Sequence, residues 1–416
     1  MTDFDVCVIG AGPAGLAAAL SADRAGKRVL LVERSARMGG ILNQCIHDGF
    51  GLIRFGEKLS GCEYANRFVR DISVSGVSLS LLTFVTRAVK KDGIFHLTLV
   101  TREGVRTITS TSLVLSTGCR ERTAKQVSIQ GTRPAGIFTA GTAQYYLNIL
   151  GEMPAKKCVI LGSGDIGLIM ARRLTLEGAK VLGVYEVKPT PSGLTRNIAQ
   201  CLDDFNIPLH VSHTVTRVFG DSRLSAVEIS KVDEKMRPIS GTEEIIDCDT
   251  LILSVGLIPE NELAETLDIV LDSKTKGPLC DQSYETSLDG VFVCGNALHV
   301  NDLVDYVSES GDAAGLAAAN YCGAARMIVN LSAAPDFAYV VPQRLDLNAE
   351  TEKTVVFFRS REVMDKVCVR VLVNGKEVFK KNYMKLKPPE MERIVVDFSG
   401  VRPGDKLELQ MSEAKK

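Results

Sequence analysis

A Gly-rich turn, Gly10-Ala11-Gly12-Pro13-Ala14-Gly15, stands between a short apolar run, Asp5 to Ile9, and an alanine-rich segment, Leu16 to Arg24. No other stretch leaves the chain so few choices of fold. The apolar run predicts a buried strand and the alanine-rich segment a helix. Each glycine then has a physical task. Gly10 lets the backbone turn sharply, Gly12 has no Cβ and so admits a pyrophosphate close to the main chain, and Gly15 lets the helix lie against the sheet. Phosphate oxygens would meet the free N–H groups and positive end of that helix. A second apolar strand, Val29 to Val32, ends at Glu33, which follows Gly15 by about 18 residues. That spacing suits a carboxylate that binds a ribose hydroxyl.

The same order of events recurs. Lys157 to Leu161 reads as a strand, Gly162-Ser163-Gly164-Asp165-Ile166-Gly167 as the turn, and Leu168 to Leu176 as a helix. Val181 to Tyr185 is a strand closed by Glu186. Each unit continues into alternating segments with Gly-containing turns, Leu81 to Thr109 in the first and Leu209 to Ile246 in the second. These predict three-stranded meanders. Each closes on a buried strand, Leu113 to Ser116 before Thr117-Gly118, and Leu251 to Val255 before Gly256. Two units of like design imply two dinucleotides.

Leu288 to Asn296 is a further buried strand running into a polar turn, and Asp302 onward, with Gly311 and Ala313 to Ala319, reads as a helix. Its place is back against the first unit, which makes the second an insertion. From Pro335, short β-branched strands (Val355 to Phe358, Val367 to Val373, Ile394 to Phe398, Leu407 to Gln410) alternate with Asn374-Gly375 and Pro403-Gly404 turns. The expected fold is α/β: two Rossmann-like dinucleotide-binding units with three-stranded β-meanders, the second inserted into the first, plus a small C-terminal all-β domain of sandwich type. The expected boundaries are 1–135 with 280–332, 136–279 and 335–416.

With 416 residues, two or three domains are expected. A net charge of -1 gives no basic field for nucleic acid or anionic lipid. No apolar run is long enough to span a bilayer. The start, MTDFD, has no basic region ahead of an apolar one, so no signal peptide is expected. Eleven cysteines without a framework fit reduced thiols and a cytoplasmic location.

On the motif Gly10 to Gly15 with Glu33, Thr117-Gly118, the motif Gly162 to Gly167 with Glu186, and Cys294-Gly295-Asn296, the chain resembles the FAD/NAD(P)-dependent pyridine nucleotide oxidoreductases, in the compact layout of thioredoxin reductases. The match leaves out the β tail. GGILNQCIHDGFGL and TGCRERT…FTAGTAQYYLN look most like the flavin subunits that accompany anaerobic glycerol-3-phosphate dehydrogenases, and are similar to subunits of sarcosine, opine and proline oxidases. The resemblance implies FAD on the first unit, at Gly10, Gly12, Pro13, Ala14, Gly15, Glu33, Arg34, Gly39, Gly40, Ile41, Thr117, Gly118, Gly295 and Asn296. Asn296 stands where the family usually has Asp. It implies NAD(H) on the second, at Gly162, Gly164, Asp165, Ile166, Gly167, Glu186 and Gly256.

A carboxylate at the ribose repels a 2′-phosphate, so Glu186 favours NAD(H), although Lys188 is close by. Disulfide reductases need two thiols, commonly C-x-x-C, and no such pair occurs. Cys45 with His47 either flanks the flavin or is structural. Cys158 reads as core, and the remaining cysteines show no metal-ligand spacing. Arg120 and Arg122 read as a solvated crossover or as a phosphate clamp. Phe50, Tyr145 and Tyr146 read as packing groups or as flavin neighbours. The stretch Val300 to Ser310 should present a helix N-terminus to the isoalloxazine. The expected chemistry is hydride transfer between NAD(H) and FAD at the junction of the two units, with electrons exchanged with a partner flavoprotein dehydrogenase in a homo- or hetero-oligomer. The rivals are a non-catalytic nucleotide-binding scaffold and a subunit of an amine or imino-acid oxidase, and the β tail reads as a docking or dimer surface.

Overall fold

The computed structural model describes residues 2–413; Met1 and 414–416, the outermost residues of the expected first and third domains, lie outside them. The chain divides into two compact units, one built from the segments up to Cys119 and from Pro259 onward, the other from Arg120–Ile258.

In the first unit the sheet runs in the order Ser78–Ser80, Val29–Val32, Phe4–Ile9, Gly104–Leu115, Ile94–Thr101, Phe84–Lys91, with Val291–Val293 also paired to Gly104–Leu115. Val6, Cys7 and Val8 are fully buried, as expected of a parallel strand covered on both faces. Gly104–Leu115 serves twice. Its first part pairs antiparallel with Ile94–Thr101, and its last residues lie parallel to Phe4–Ile9 and Val291–Val293. The sequence pattern divides it into a meander strand and a separate one at Leu113. The polar residues Ser110 and Ser112 hide the join, because buried hydrogen bonds from Ser110 Oγ to Ser112 O (2.8 Å) and from Ser112 Oγ to Ala318 O (2.9 Å) satisfy them.

Two helices, Pro13–Arg24 and Val304–Asn320, cover the sheet and touch backbone to backbone. A Cβ on Gly311 would stand 2.2 Å from Ala14 O, and one on Gly315 2.2 Å from Ala18 O. The helix Gly61–Ser73 starts where Ser60 and Glu63 form a capping box.

The β tail is a sandwich. One sheet has the order Arg344–Asp346, Ile328–Ala333, Leu407–Glu413, Met364–Val373, Lys376–Leu386, and the other Phe337–Val341, Thr354–Ser360, Glu392–Val396. Phe337, Phe358, Val369, Phe398 and Leu409 fill its core. It begins at Ile328 rather than 335, because Val329 and Leu331 belong to that core.

In the second unit a parallel sheet has the order Ile137–Thr139, Thr250–Leu253, Lys157–Leu161, Lys180–Glu186, Leu209–Val211. Its meander is a separate sheet, with Gln130–Gly131 beside His213–Gly220, Leu224–Lys231 and Glu244–Asp247. Leu209, expected in the meander, lies in the parallel sheet.

The units part near 119 and 259 instead of 135 and 279, for packing reasons. Ile129 enters the core under the second meander, whereas Ala264, Leu267 and Ile269 enter the core of the first unit.

Candidate dinucleotide sites

The first Gly-rich turn is held from behind and open in front. Gly10 has φ +106°, and a Cβ there would come within 2.5 Å of Ser116 O. A Cβ on Gly15 would overlap Gly10 O at 1.8 Å, whereas one on Gly12 would meet nothing within 4 Å. The one open position is the one a pyrophosphate needs. The helix behind it starts at Pro13, not Leu16, so the motif itself forms its first turn, with no side chain capping it. Unspent N–H groups at such a terminus favour an anion.

Glu33 is buried beside the turn. Its carboxylate accepts hydrogen bonds from Ala11 N (2.8 Å) and Ser35 N (2.7 Å), so its position is fixed by backbone alone. The Gly39-Gly40 pair closes the rim: Gly39 N donates to Ala11 O (2.8 Å), and a Cβ on Gly40 would reach Gly12 Cα at 3.0 Å. On the other flank a Cβ on Gly295 would stand 2.8 Å from Ala14 Cβ, and Gly295 N donates to Ser310 Oγ (2.9 Å). Asn296 Oδ1 accepts from Asn301 N (3.0 Å), and its Nδ2 donates to Cys119 Sγ (3.6 Å), which ties it to the Thr117-Gly118 turn. Thr117 Oγ1 in turn donates to Glu260 O (2.6 Å). Arg34 and Ile41 are exposed beside this cradle.

Cys45 and His47 separate from one another in character. Cys45 is buried, with its Sγ donating to Ile41 O (3.4 Å), and burial together with Cys62 pushes its thiol up to about 12. Such a thiol holds almost no thiolate near neutrality, so it is not an activated nucleophile. The His47 ring packs on Phe50 at 5.2 Å. None of the eleven cysteines is in a disulfide, and Cys158 is fully buried core. Arg120 and Arg122 are exposed, and Tyr146 packs on Phe138 at 5.5 Å.

The second turn repeats the design. Gly162 has φ +98° and a Cβ there would stand 2.1 Å from Ser254 O, while one on Gly164 would find only Ser254, its Oγ at 3.6 Å, an ordinary contact. The helix Asp165–Leu176 again starts inside the motif, with no side-chain cap. Glu186 is buried, and accepts from Ser163 N (3.1 Å), Ser163 Oγ (2.5 Å) and Lys188 N (3.1 Å). Asp165 Oδ1 accepts from Leu194 N (2.9 Å) and Asn197 Nδ2 (2.7 Å). Ser192 N donates to Ser163 Oγ (2.9 Å), so the loop after Glu186 is anchored to the turn. Ile166 is exposed, and Gly256, at φ +99°, accepts at its carbonyl from Arg122 N (3.1 Å).

Sequence reading missed Ser116 and Ser254, the residues that set the back wall of each turn. Ser116 Oγ donates to Ile9 O (2.9 Å) and Gly10 O (2.8 Å), and Ser254 N donates to Leu161 O (2.7 Å). The signal was present as an internal repeat, Leu115-Ser116-Thr117-Gly118 against Leu253-Ser254-Val255-Gly256.

A family model described as pyridine nucleotide-disulphide oxidoreductase matches residues 4–314. The chain belongs to this family. FAD and NAD(P)H are the family's cofactors, and two open glycines over two uncapped helix starts fit a pair of dinucleotides. An opine oxidase subunit of Agrobacterium tumefaciens is 24% identical over 384 residues, covering 88% of this chain and 73% of its own length. Hydrogen cyanide synthase subunit HcnB of Pseudomonas aeruginosa is 27% identical over 282 residues; that match covers 63% of this chain and only 59% of HcnB. Thioredoxin reductase of T. acidophilum shares the fold, with a TM-score of 0.63 and 23% identity, over 77% of this chain and 98% of that one. Among the described residues no helix is long and apolar enough to cross a membrane, and no group of three or more His, Cys, Asp or Glu could hold a metal ion.

Proposed function

We propose that this chain is the FAD-containing subunit of an oxidoreductase complex, exchanging a hydride between NAD(H) and FAD and exchanging electrons with a partner flavoprotein dehydrogenase. The observation that carries this is the paired carboxylate anchor. Glu33 and Glu186 each accept from the second residue of their own Gly-rich turn and from the residue two places on. When bound, the flavin supplies the hydride chemistry. The protein's own residues bind and orient. Gly10, Gly12, Pro13, Ala14 and Gly15 present the turn, Glu33 faces the adenosine ribose, and Gly39, Gly40, Thr117, Gly118, Gly295 and Asn296 line the rest. Gly162, Gly164, Gly167 and Glu186 receive NAD(H), and the negative charge of Glu186 disfavours a 2′-phosphate.

The thiols support a partner rather than a disulfide substrate. No C-x-x-C occurs, and Cys45, one of the cysteines near the first cradle, is buried with its pKa raised. Resemblance of the flavin loops favours a glycerol-3-phosphate dehydrogenase-type partner. A second reading, membership of an amine-oxidase complex, is favoured by the likeness to the Agrobacterium opine oxidase chain over 88% of this one.

Purified protein is expected to be yellow, to bleach anaerobically with NADH and to respond more weakly to NADPH. Retention of the visible flavin band under NADH ends the hydride-exchange reading. Co-purified partners assayed on glycerol 3-phosphate, sarcosine, proline and an opine then separate the two complexes.

A further inference from the structure

The segment after the flavin turn, from Gly295 to Glu309, is gripped by the β sandwich rather than left to its own helix. Arg359, on the strand Thr354–Ser360, has a side chain only 13% exposed. Its Nη2 donates to Val300 O (3.3 Å) and pairs with Asp302, its Nε donates to Tyr339 Oη (3.0 Å), and its Nη1 donates to Pro389 O. A buried guanidinium is tolerable only when its fork is satisfied in this way. Further grips follow along the segment. Asp302 Oδ2 also accepts from Met391 N (2.6 Å), and Arg393 pairs with Glu309 at 2.5 Å. The buried His299 ring lies 5.7 Å from Tyr339 and 5.4 Å from Phe357. On the opposite flank Asp305 Oδ1 accepts from Arg54 N (2.9 Å), and Tyr64 Oη donates to Ser308 Oγ (2.9 Å).

We propose that the sandwich is a working part of the flavin site, and that Arg359 is a positioning residue which fixes Asn296 and the start of the helix Val304–Asn320 through this segment. The proposal rests on the reading that the first turn carries FAD. Asn296 leans on Asn301, and Asn301 Nδ2 donates to His299 O (2.9 Å), so the turn that faces the cofactor is continuous with the residues the sandwich holds. The helix start has no side-chain cap, so its positive end is available to negative charge on a reduced flavin. A helix end that drifts loses that stabilisation, and the flavin becomes harder to reduce. Lysine cannot replace the grip, since a point charge cannot reach a carbonyl, a carboxylate and a tyrosine oxygen together.

The test is redox titration and FAD retention in the full-length chain for Arg359→Gln, Arg359→Lys and Val369→Ala, the last a cavity in the sandwich core that touches none of these contacts. Arg359→Gln is expected to lower the flavin midpoint by about 30 mV, a roughly tenfold loss in relative binding of the reduced form. Arg359→Lys should recover only part of that. Val369→Ala should lower Tm and leave the midpoint in place. An unchanged midpoint in Arg359→Gln overturns the proposal, as does an equal shift in Val369→Ala, which would reduce Arg359 to a stabilising contact. A wild-type chain that neither holds FAD nor takes it up instead ends the cofactor reading on which the proposal stands.

Discussion

The two Gly-rich turns share a skeleton and differ in charge and in support. Each buries one carboxylate against the N–H of its second residue, and each is walled by a serine, Ser116 or Ser254. Their first helical residues differ: Pro13 is neutral, whereas Asp165 adds an acid to the second turn. Ser163 adds a hydroxyl at 2.5 Å that the first turn, with Ala11, has no means to supply. The first turn in exchange has the Gly39-Gly40 rim and the segment held by the sandwich. Geometry is thus common to both, while acidity is concentrated at the second turn and added backbone support at the first.

The largest effects should come from filling the turns, and they should be unequal. Gly15→Ala sets a Cβ 1.8 Å from Gly10 O, while Gly167→Ala sets one 2.7 Å from Gly162 O. Backbone cannot yield to the first, so a loss above about 4 kcal/mol and colourless, aggregating protein are expected. The second should cost about 1–3 kcal/mol, as overpacking usually does. Gly12→Ala meets nothing within 4 Å at φ -75° and should leave the Tm of the flavin-free protein unchanged while the flavin is lost. Thermal unfolding read beside flavin absorbance distinguishes the three. A Gly12→Ala protein that keeps its colour would show that the open face is not where the phosphates sit.

Both turns were legible because a sharp reversal and a close phosphate demand particular residues at particular spacings. The acids at Glu33 and Glu186 were legible for the same local reason. What stayed hidden depends on partners far along the chain. Lys376–Leu386 is rich in exposed lysine and so lacks an apolar alternation, although it pairs with Met364–Val373 along its whole length. Edge strands rich in lysine resist pairing with other chains, which costs them their sequence signal. Arg359 and Asp302 are 57 residues apart, and no spacing rule joins them. The sandwich consequently reads in sequence as a detachable docking surface, although Arg359 is buried against the first unit's own segment.

The charge difference between the turns can be tested at Glu186. Glu186→Gln keeps the shape and loses the charge, so hydrogen bonds from Ser163 and Lys188 weaken by about 1.5–3 kcal/mol in sum. NADH is expected to show a raised KM with kcat nearly unchanged, and preference for NADH over NADPH should shrink by about tenfold, near 1.4 kcal/mol. Flavin content should not move. Steady-state kinetics with both nucleotides give the result, and an unaltered preference would mean that Asp165 or the loop through Ser192 carries the discrimination.

The difference in support predicts a pH sensitivity in the first unit. Burial, with Arg359 beside it, pushes His299 down to about 3, so it is neutral in the folded chain and titrates near 6.5 once unfolded. The unfolded state therefore binds the extra proton as pH falls through 6.5, and stability declines from there toward 3. Between pH 7 and 5.5 one such group removes about 1 kcal/mol. Asp281 and Glu285, beside Arg326, work the other way: burial raises both, so the folded state takes up their protons first and gains on acidification. His299→Phe isolates the histidine, since it keeps an aromatic ring between Tyr339 and Phe357 and removes the proton site. Chemical denaturation at the two pH values should show a smaller acid loss in the variant by about 1 kcal/mol, with FAD released at lower pH than in the parent. Equal losses in parent and variant would place the acid sensitivity among other groups, and leave the sandwich grip with no electrostatic part in flavin retention.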